Sequence, residues 1–160
     1  MALILRNATI EDGAFLLAVR NDGDVRSQSK HTEIISDETH RKWLEQHLHS
    51  SDSAVWIIEQ QGEKLGYVRA QRLEQPGQAG TWLLSIALHS SFRGQHYGTW
   101  GVREACRLLR DNFGAQVVIA EVLNGNAASL KLFQSTGFVP RGITPTGGGD
   151  FLRFELSFTS

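Results

Sequence analysis

The sequence predicts a mixed α/β fold, a single mixed β-sheet with helices on its faces, and three observations predict it. Segments of strand and helix character follow one another in the order β, α, α, β, β, β, α, β, α, β, β, which suits neither an all-helical nor an all-strand architecture. A nearly all-apolar run, QVVIAEVL (Gln116–Leu123), reads as a strand covered on both faces. Between Gly98 and Phe113, the residues Val102, Ala105, Cys106, Leu109 and Phe113 share one face, with Arg103, Glu104, Arg107 and Arg110 mostly off it. That is the pattern of an amphipathic helix lying on a sheet.

Each element follows from local signals. LILRNAT (Leu3–Thr9) reads as the first strand. Thr9 with Asp12 three residues on offers a capping box ahead of the apolar cluster Phe15, Leu16, Leu17 and Val19, and NDGD (Asn21–Asp24) ends that helix. Ser36 or Asp37 caps a second helix, in which Trp43, Leu44 and Leu48 recur at helical spacing. AVWIIEQ, the turn QGEK and LGYVRAQRL form a β-hairpin. EQPGQAG is a loop before the strand TWLLSIAL (Thr81–Leu88). After the strand Gln116–Leu123, NGN leads into a helix over Ala127–Thr136, and two closing strands flank TPTGGGD.

Composition narrows the classes of function. A chain of 160 residues, 41% of them hydrophobic, favours one domain over residues 1–160 with a sizeable core. The net charge is −1 and no basic block occurs, so the footprint of a nucleic-acid binder is missing. A lone cysteine, Cys106, excludes an intrachain disulfide framework and fits a reducing compartment. The N-terminus is apolar only briefly before Arg6, too short for a secretory signal, and no apolar run approaches the roughly 20 residues of a membrane span. The expectation is a cytoplasmic monomer or homodimer that engages neither nucleic acid nor membrane.

FRGQHYGTW (Phe92–Trp100) lies where a strand hands over to a helix. The first turn of a helix has N–H groups without internal partners, and its dipole adds partial positive charge there. Glycines let the preceding loop fold tightly enough to aim more N–H groups at the same point, and Arg93 adds a charge. Such a junction suits a pyrophosphate. No lysine follows in the manner of a nucleotide triphosphatase loop.

RGQHYG (Arg93–Gly98) resembles the Arg/Gln-x-x-Gly-x-Gly/Ala signature of the GNAT superfamily of N-acetyltransferases. EVLNGNAASLKLFQSTGF (Glu121–Phe138) is similar to that family's second motif, a strand followed by Asn-x-x-Ala/Ser, an aromatic residue and Gly-Phe. The resemblance covers essentially the whole chain and is strongest from Trp82 to Phe138. It implies the GNAT fold, with helices on both faces of a mostly antiparallel sheet that splays between its fourth and fifth strands. It also implies acetyl-CoA as cosubstrate. The backbone of Ile86, Ala87 and Leu88 is then expected to pair with the pantetheine arm. The N–H groups of Arg93, Gly94, Gln95, His96, Tyr97, Gly98 and Thr99 are expected to hold the pyrophosphate. Asn126 would hydrogen-bond the cofactor, and Phe133 would lie beside its thiol end. Two residues depart from the family pattern: His96 stands where glycine is usual, and Phe133 where many members have a tyrosine that protonates the departing thiolate.

Acetyl transfer to an amine needs a base for the ammonium, a polarised carbonyl and a proton for sulfur. The N–H of Leu88 is the oxyanion donor that the resemblance implies, in keeping with preorganised donors. Glu121 is the one carboxylate in the apolar strand 117–123, where partial burial would raise its pKa toward that of a base. The alternative has it facing solvent or paired with an arginine. Many family members carry a glutamate on the fourth strand; here that strand offers only Ser85 as a proton relay. With phenylalanine at 133, the acid falls to Tyr97, Ser135 or solvent.

Cys106 on the core face is packing, and His47-x-His49 lacks further ligands at metal spacing, so no metal is expected. His40, Trp43, Leu44 and His47 share a helical face that either packs on the sheet or walls an acceptor pocket. The segment Arg20–Leu44 resembles the Arg-Asn-…-Val-Arg stretch of acetyltransferases acting on nucleotide-linked amino sugars, as in the pseudaminic acid pathway. Arg20, Arg26, Lys30 and His31 could meet a diphosphate, with Trp43 for stacking and Asn21 as a further substrate-binding candidate. The expected acceptor is therefore the primary amine of a nucleotide-linked amino sugar. A protein N-terminus or small amine is the alternative within the enzyme class. A non-catalytic acyl-CoA sensor, motivated by Phe133, is the alternative outside it.

Overall fold

The structure, a computed structural model, describes residues 2–73 and 80–158. Its strands are β1 (Leu3–Asn7), β2 (Ser53–Gln60), β3 (Glu63–Arg72), β4 (Thr81–Leu88), β5 (Val117–Leu123), β6 (Val139–Thr146) and β7 (Gly149–Ser157). Its helices are α1 (Gly13–Asn21), α2 (Gly23–Ser27), α3 (Asp37–Leu48), α4 (Tyr97–Phe113) and α5 (Ala127–Ser135). The strands form one sheet in the order β1-β2-β3-β4-β5-β7-β6. Only β4 and β5 run parallel; the other neighbouring pairs are antiparallel. This is the mixed α/β architecture that the element order predicts. All but Gly80 of the expected EQPGQAG loop lies outside the described residues.

Strand alternation sorts the apolar side chains onto two faces. Trp56, Ile58, Val68, Trp82, Leu84, Val118 and Phe154 meet α4 and α5 through Val102, Ala105, Leu109 and Phe133. Val55, Ile57, Tyr67 and Ala87 turn the other way and pack on α1 and α3 through Leu16, Val19 and Leu44. Each fully buried aliphatic or Phe side chain contributes about 1.5–3 kcal/mol, so both helical layers are fastened by burial.

The N-terminal third departs from the sequence expectation in two places. After Thr9 the chain first makes a 3-10 turn, Ile10–Asp12, and α1 begins only at Gly13. The cause is Asp12, 2% exposed, whose carboxylate accepts the Thr9 N–H at 2.8 Å, both terminal nitrogens of Arg6 at 2.8 and 2.9 Å, and Lys64 Nζ at 2.8 Å. A buried charge needs this density of partners. NDGD, expected only to end a helix, also starts one: the Asp22 carboxylate accepts the N–H groups of Asp24 and Val25 and caps α2.

Candidate active site

The central opening of the sheet is built from backbone. β5 pairs with β4 only over Thr81–Leu83, opposite Val117–Ile119, whereas β3 follows β4 as far as Leu88. From Leu84 onward β4 therefore has a free edge on the β5 side. The His89 N–H donates to the Leu65 carbonyl at 2.8 Å. Backbone groups of an antiparallel strand alternate in direction, so those of Ile86 and Leu88 turn to the opening and those of Ala87 turn to β3. The expectation for Ala87 is corrected accordingly: its carbonyl lies where a Cβ on Gly66 would come within 2.5 Å of it, so β3 and β4 approach too closely here for any residue but glycine.

The glycine stretch follows after a 3-10 turn, Ser90–Phe92. Gly94 has φ +77° and His96, the N-cap of α4, has φ +67°. Left-handed residues next to a helix start curl successive N–H groups into a concave nest. The Gly94 conformation is one that glycine adopts freely, whereas at His96 the same conformation costs about 1–2 kcal/mol. The N–H groups of Tyr97, Gly98 and Thr99 open the 17-residue α4, and those of a first turn have no acceptor inside their own helix. The Arg93 guanidinium is not a free charge over this nest. It pairs with Asp22 at 3.1 Å and Asp24 at 3.0 Å, tying the start of α2 to the loop and holding the Asp22 carboxyl below its ordinary range. Gln95 donates to the Ser91 carbonyl at 3.3 Å.

On the other lip, Asn126 caps α5 by accepting the Ser129 N–H at 3.3 Å through Oδ1, which leaves its amide Nδ2 for another partner. Phe133 is 4% exposed and packs edge-on against Phe138, with ring centroids 5.1 Å apart. Its ring is part of the core on the α4–α5 face. The Tyr97 hydroxyl donates to Gln60 Oε1 at 3.4 Å, toward β2 and away from β5. The Tyr97 hydroxyl is thus engaged on the β2 side of the sheet rather than at the opening beside β5. Ser135 Oγ is likewise engaged, donating to the Leu132 carbonyl at 2.8 Å.

Glu121 lies on the α1–α3 face, where its strand neighbour opposite is Arg153. Across the opening, Ser85 stands opposite Arg69 on β3. Arg69, Ser85, Glu121 and Arg153 thus form a row on one face of four strands, interrupted by the opening between Ser85 and Glu121. Glu121 is not alone in an apolar setting: Lys30 Nζ reaches its Oε2 at 2.7 Å from 91 residues away and also lies 5.6 Å from the Phe151 ring centre. This replaces the expected desolvated carboxylate, and the arginine of the alternative reading, with a lysine ion pair.

The expected acceptor residues divide into two groups. Asn21 and Arg26 fasten the segment that follows α1. The Asn21 side chain exchanges two hydrogen bonds with the Ile35 backbone at 2.8 and 2.9 Å, and Arg26 donates to the carbonyls of Asn21 and Thr32 at 3.0 Å each. Arg20 and Trp43 face the sheet. Arg20 donates to the His31 carbonyl at 2.9 Å, and the Trp43 ring stacks on His47 at 4.5 Å and under the Arg69 guanidinium at 5.5 Å. Sequence reasoning missed Arg69. The signal that singles out Glu121, one charge inside an apolar strand, was equally present in LGYVRA.

A concavity of about 30 Å³ lies beside this row, lined by Trp43, Arg69 and Ser85 among others. A larger one, about 470 Å³, sits between the end of α3 and Arg72–Leu73, at the other end of the sheet from the nest. Neither the free edge nor Glu121 borders it. Among the described residues no group of three His, Cys, Asp or Glu could hold a metal ion, and no helix is long and apolar enough to cross a membrane.

A family model described as "Acetyltransferase (GNAT) domain" matches residues 2–139. A candidate phosphinothricin acetyltransferase of Bacillus subtilis (strain 168), YwnH, is 26% identical over 145 residues, covering 89% of this chain and 88% of the relative. Among solved structures, a ribosomal-protein-alanine N-acetyltransferase from Brucella melitensis is 26% identical with a TM-score of 0.85, covering 97% of this chain and 99% of that one. A candidate acetyltransferase from Salmonella typhimurium, yncA, solved with its cofactor acetyl-CoA, superposes with a TM-score of 0.86 at 20% identity, over 100% of this chain and 96% of that one.

Proposed function

The chain belongs to the acetyltransferase (GNAT) domain family, and on that premise we propose that it moves an acetyl group from acetyl-CoA to the primary amine of a small acceptor, a nucleotide-linked amino sugar, by direct attack. One observation carries the reading. The backbone groups of Ile86 and Leu88 face an unpaired strand edge that leads into the left-handed nest at Gly94–His96, with Glu121 on the far lip.

These features fit the cosubstrate. Ile86 and Leu88 would pair with the amide groups of a pantetheine arm as an added strand. The N–H groups of Arg93–Thr99 would hold the pyrophosphate, Asn126 Nδ2 would bond the arm, and Phe133 would back the thiol end from the core. Acetyl-CoA supplies a thioester, whose C–S bond breaks as the C–N bond forms. Glu121 takes the proton from the incoming ammonium, with Lys30 fixing the carboxylate at the lip of the opening. The Leu88 N–H, already turned to the opening, donates to the carbonyl oxygen. Ser85 faces the acceptor side and can pass a proton through water. The thiolate takes its proton from solvent, since Phe133 has no proton to give and Tyr97 points away.

The experiment is acetyl-CoA-dependent thiol release measured across nucleotide-linked amino sugars, free amino acids, polyamines and N-terminal peptides. Release with the nucleotide sugars and not with peptides supports the acceptor named here; release with another class moves the acceptor; tight acetyl-CoA binding without release to any amine favours an acyl-CoA sensor.

A further inference from the structure

The α1–α3 face beside the opening carries two cations that the fold does not neutralise. Arg20 Nη1 is buried without a hydrogen-bond partner, although Nη2 of the same guanidinium donates to the His31 carbonyl. Arg69 makes neither an ion pair nor a hydrogen bond among the described residues; its one contact of note is the Trp43 ring. By contrast Arg6, Arg72, Arg93, Arg107, Arg110, Arg141 and Arg153 all have a carboxylate within ion-pairing distance. Arginine is seldom buried without a partner, because its five donors lose water on burial.

Among the described residues no carboxylate makes an ion pair with either arginine, although Glu33 and Asp37 act on this region from a distance. Tyr67 is buried and within electrostatic reach of both arginines, and burial pushes its phenol up and so holds it neutral. His40, 6% exposed, is pushed down by burial, then by Arg20 and Arg69, so its imidazole is neutral as well. Burial also lowers the Arg20 pKa, and Arg69 lowers it further by like-charge repulsion. Glu33 is within electrostatic reach of Arg20 but makes no ion pair with it. Arg20 and Arg69 are both part-buried and lie within electrostatic reach of each other, with Arg69 lining the small concavity beside Ser85. Such a pair suits an oxyanion, which can take a bidentate pair of N–H bonds from either guanidinium.

We propose that Arg20 and Arg69 receive a compact oxyanion carried by the acceptor, so that the amine acetylated here belongs to a molecule with a carboxylate or a phosphorus oxyanion a short distance from its amino group. The proposal rests on the acetyltransferase reading and adds the substrate class to it. Arg69 stands opposite Ser85 in register, and Glu121 lies on the next strand beyond the opening. At about 4.8 Å per paired strand, an anion held at the arginines sets the amine of a small acceptor at the lip, where Glu121 can deprotonate it. Trp43, stacked on Arg69, holds the guanidinium in place. A diphosphate of a nucleotide-linked sugar and the carboxylate of an amino acid present the same chemistry to this pair.

The test compares matched probes: L-alanine, L-methionine and L-phenylalanine each against its carboxamide, a uridine-diphosphate-linked amino sugar against the free amino sugar, and spermidine as an amine without an anion. Two readouts are taken, acetyl-CoA-dependent thiol release and calorimetric binding of each probe in the presence of CoA. The anionic member of at least one pair is expected to bind and react about 100-fold better than its partner. In Arg69→Gln and in Arg20→Gln that ratio should fall toward one, mainly through KM, and Arg69→Lys should restore part of it. Which pair discriminates tells a carboxylate from a diphosphate. Equal handling of acids and amides, a preference for spermidine, or a ratio untouched by both glutamine variants overturns the proposal. Binding decides the matter without turnover, so a failure of all thiol release counts against the transferase reading and not against the anion site. Thermal unfolding and acetyl-CoA binding of each variant identify a misfolded one, for which Arg69→Lys then serves as the comparison.

Discussion

The two halves of the cleft are built from different material. The half that suits acetyl-CoA is backbone: a strand edge left open where β5 leaves β4, and a nest formed by Gly94 and His96. The half proposed to face the acceptor is long side chains, set by partners far away in the chain: Lys30 on Glu121, Asn21 on Ile35, Trp43 on Arg69. A backbone site accommodates change of sequence as long as the chain path holds. A side-chain site changes specificity with a single residue. The comparison explains how one fold can keep one cosubstrate while accepting different amines.

If the division holds, the largest loss should come from disturbing the backbone half. Gly66→Ala places a Cβ 2.5 Å from the Ala87 carbonyl and 2.9 Å from Leu88 Cα, so the end of β4 must shift. Displacing the Leu88 N–H by about 1 Å is expected to lower kcat about 100-fold, and steady-state kinetics beside an unfolding curve would show it. A near-normal rate in a folded variant would mean that the β4 edge is not where the chemistry is positioned. Glu121→Gln, whose carboxylate is already held by Lys30, should lower kcat by no more than about 100-fold, the low end of what loss of a general base costs. Lys30→Ala, which removes the partner and not the base, should cost less than Glu121→Gln. If the lysine variant is the worse of the two, Lys30 rather than Glu121 carries the function of that lip.

The N-terminal charge cluster bears on the scaffold common to both halves. Asp12→Asn takes the carboxylate from Arg6 and Lys64, both part-exposed, while Arg6 keeps Glu59, and should destabilise the fold by about 1.5–3 kcal/mol at neutral pH. Arg6 first, with Lys64 and the Thr9 N–H, holds the Asp12 carboxyl well below the usual carboxylate range. Its folded pKa is therefore depressed, and its contribution is in full force above the unfolded aspartate pKa of about 3.9, then fades as the pH falls below it. Denaturation curves should show Asp12→Asn weaker at neutral pH and flatter in acid than the parent. The smallest effect is expected at the nest itself: His96→Gly removes left-handed strain and should stabilise the fold by about 1 kcal/mol.

What could be read in advance follows the same division. The sheet, the helix over 98–113 and the strand-to-helix nest were legible because hydrophobic period, glycine and capping residues act on neighbours in sequence. QVVIAEVL predicted a strand covered on both faces; β5 buries Val118, Ala120 and Val122 in one layer, whereas on its other face Ile119 is buried and Val117, Glu121 and Leu123 are only part-buried. The ion pair of Lys30 with Glu121 was not legible, because nothing local in RSQSKH says which strand that lysine meets. Arg93 looked like a free charge for the same reason, while Asp22 and Asp24 were assigned only to a helix end. Tyr97 could be placed on the first turn of α4, but its side chain direction depended on the packing of that helix against β2.

The most direct measurement is a backbone amide spectrum of the labelled protein titrated with CoA. The account predicts selective shifts at Ile86, Leu88 and the residues Gly94–Thr99, saturating together, with β1 and the start of β2 unmoved. Saturable binding that leaves Ile86 and Leu88 unshifted, or no binding at all, would contradict the claim that this open edge and nest are the cosubstrate site.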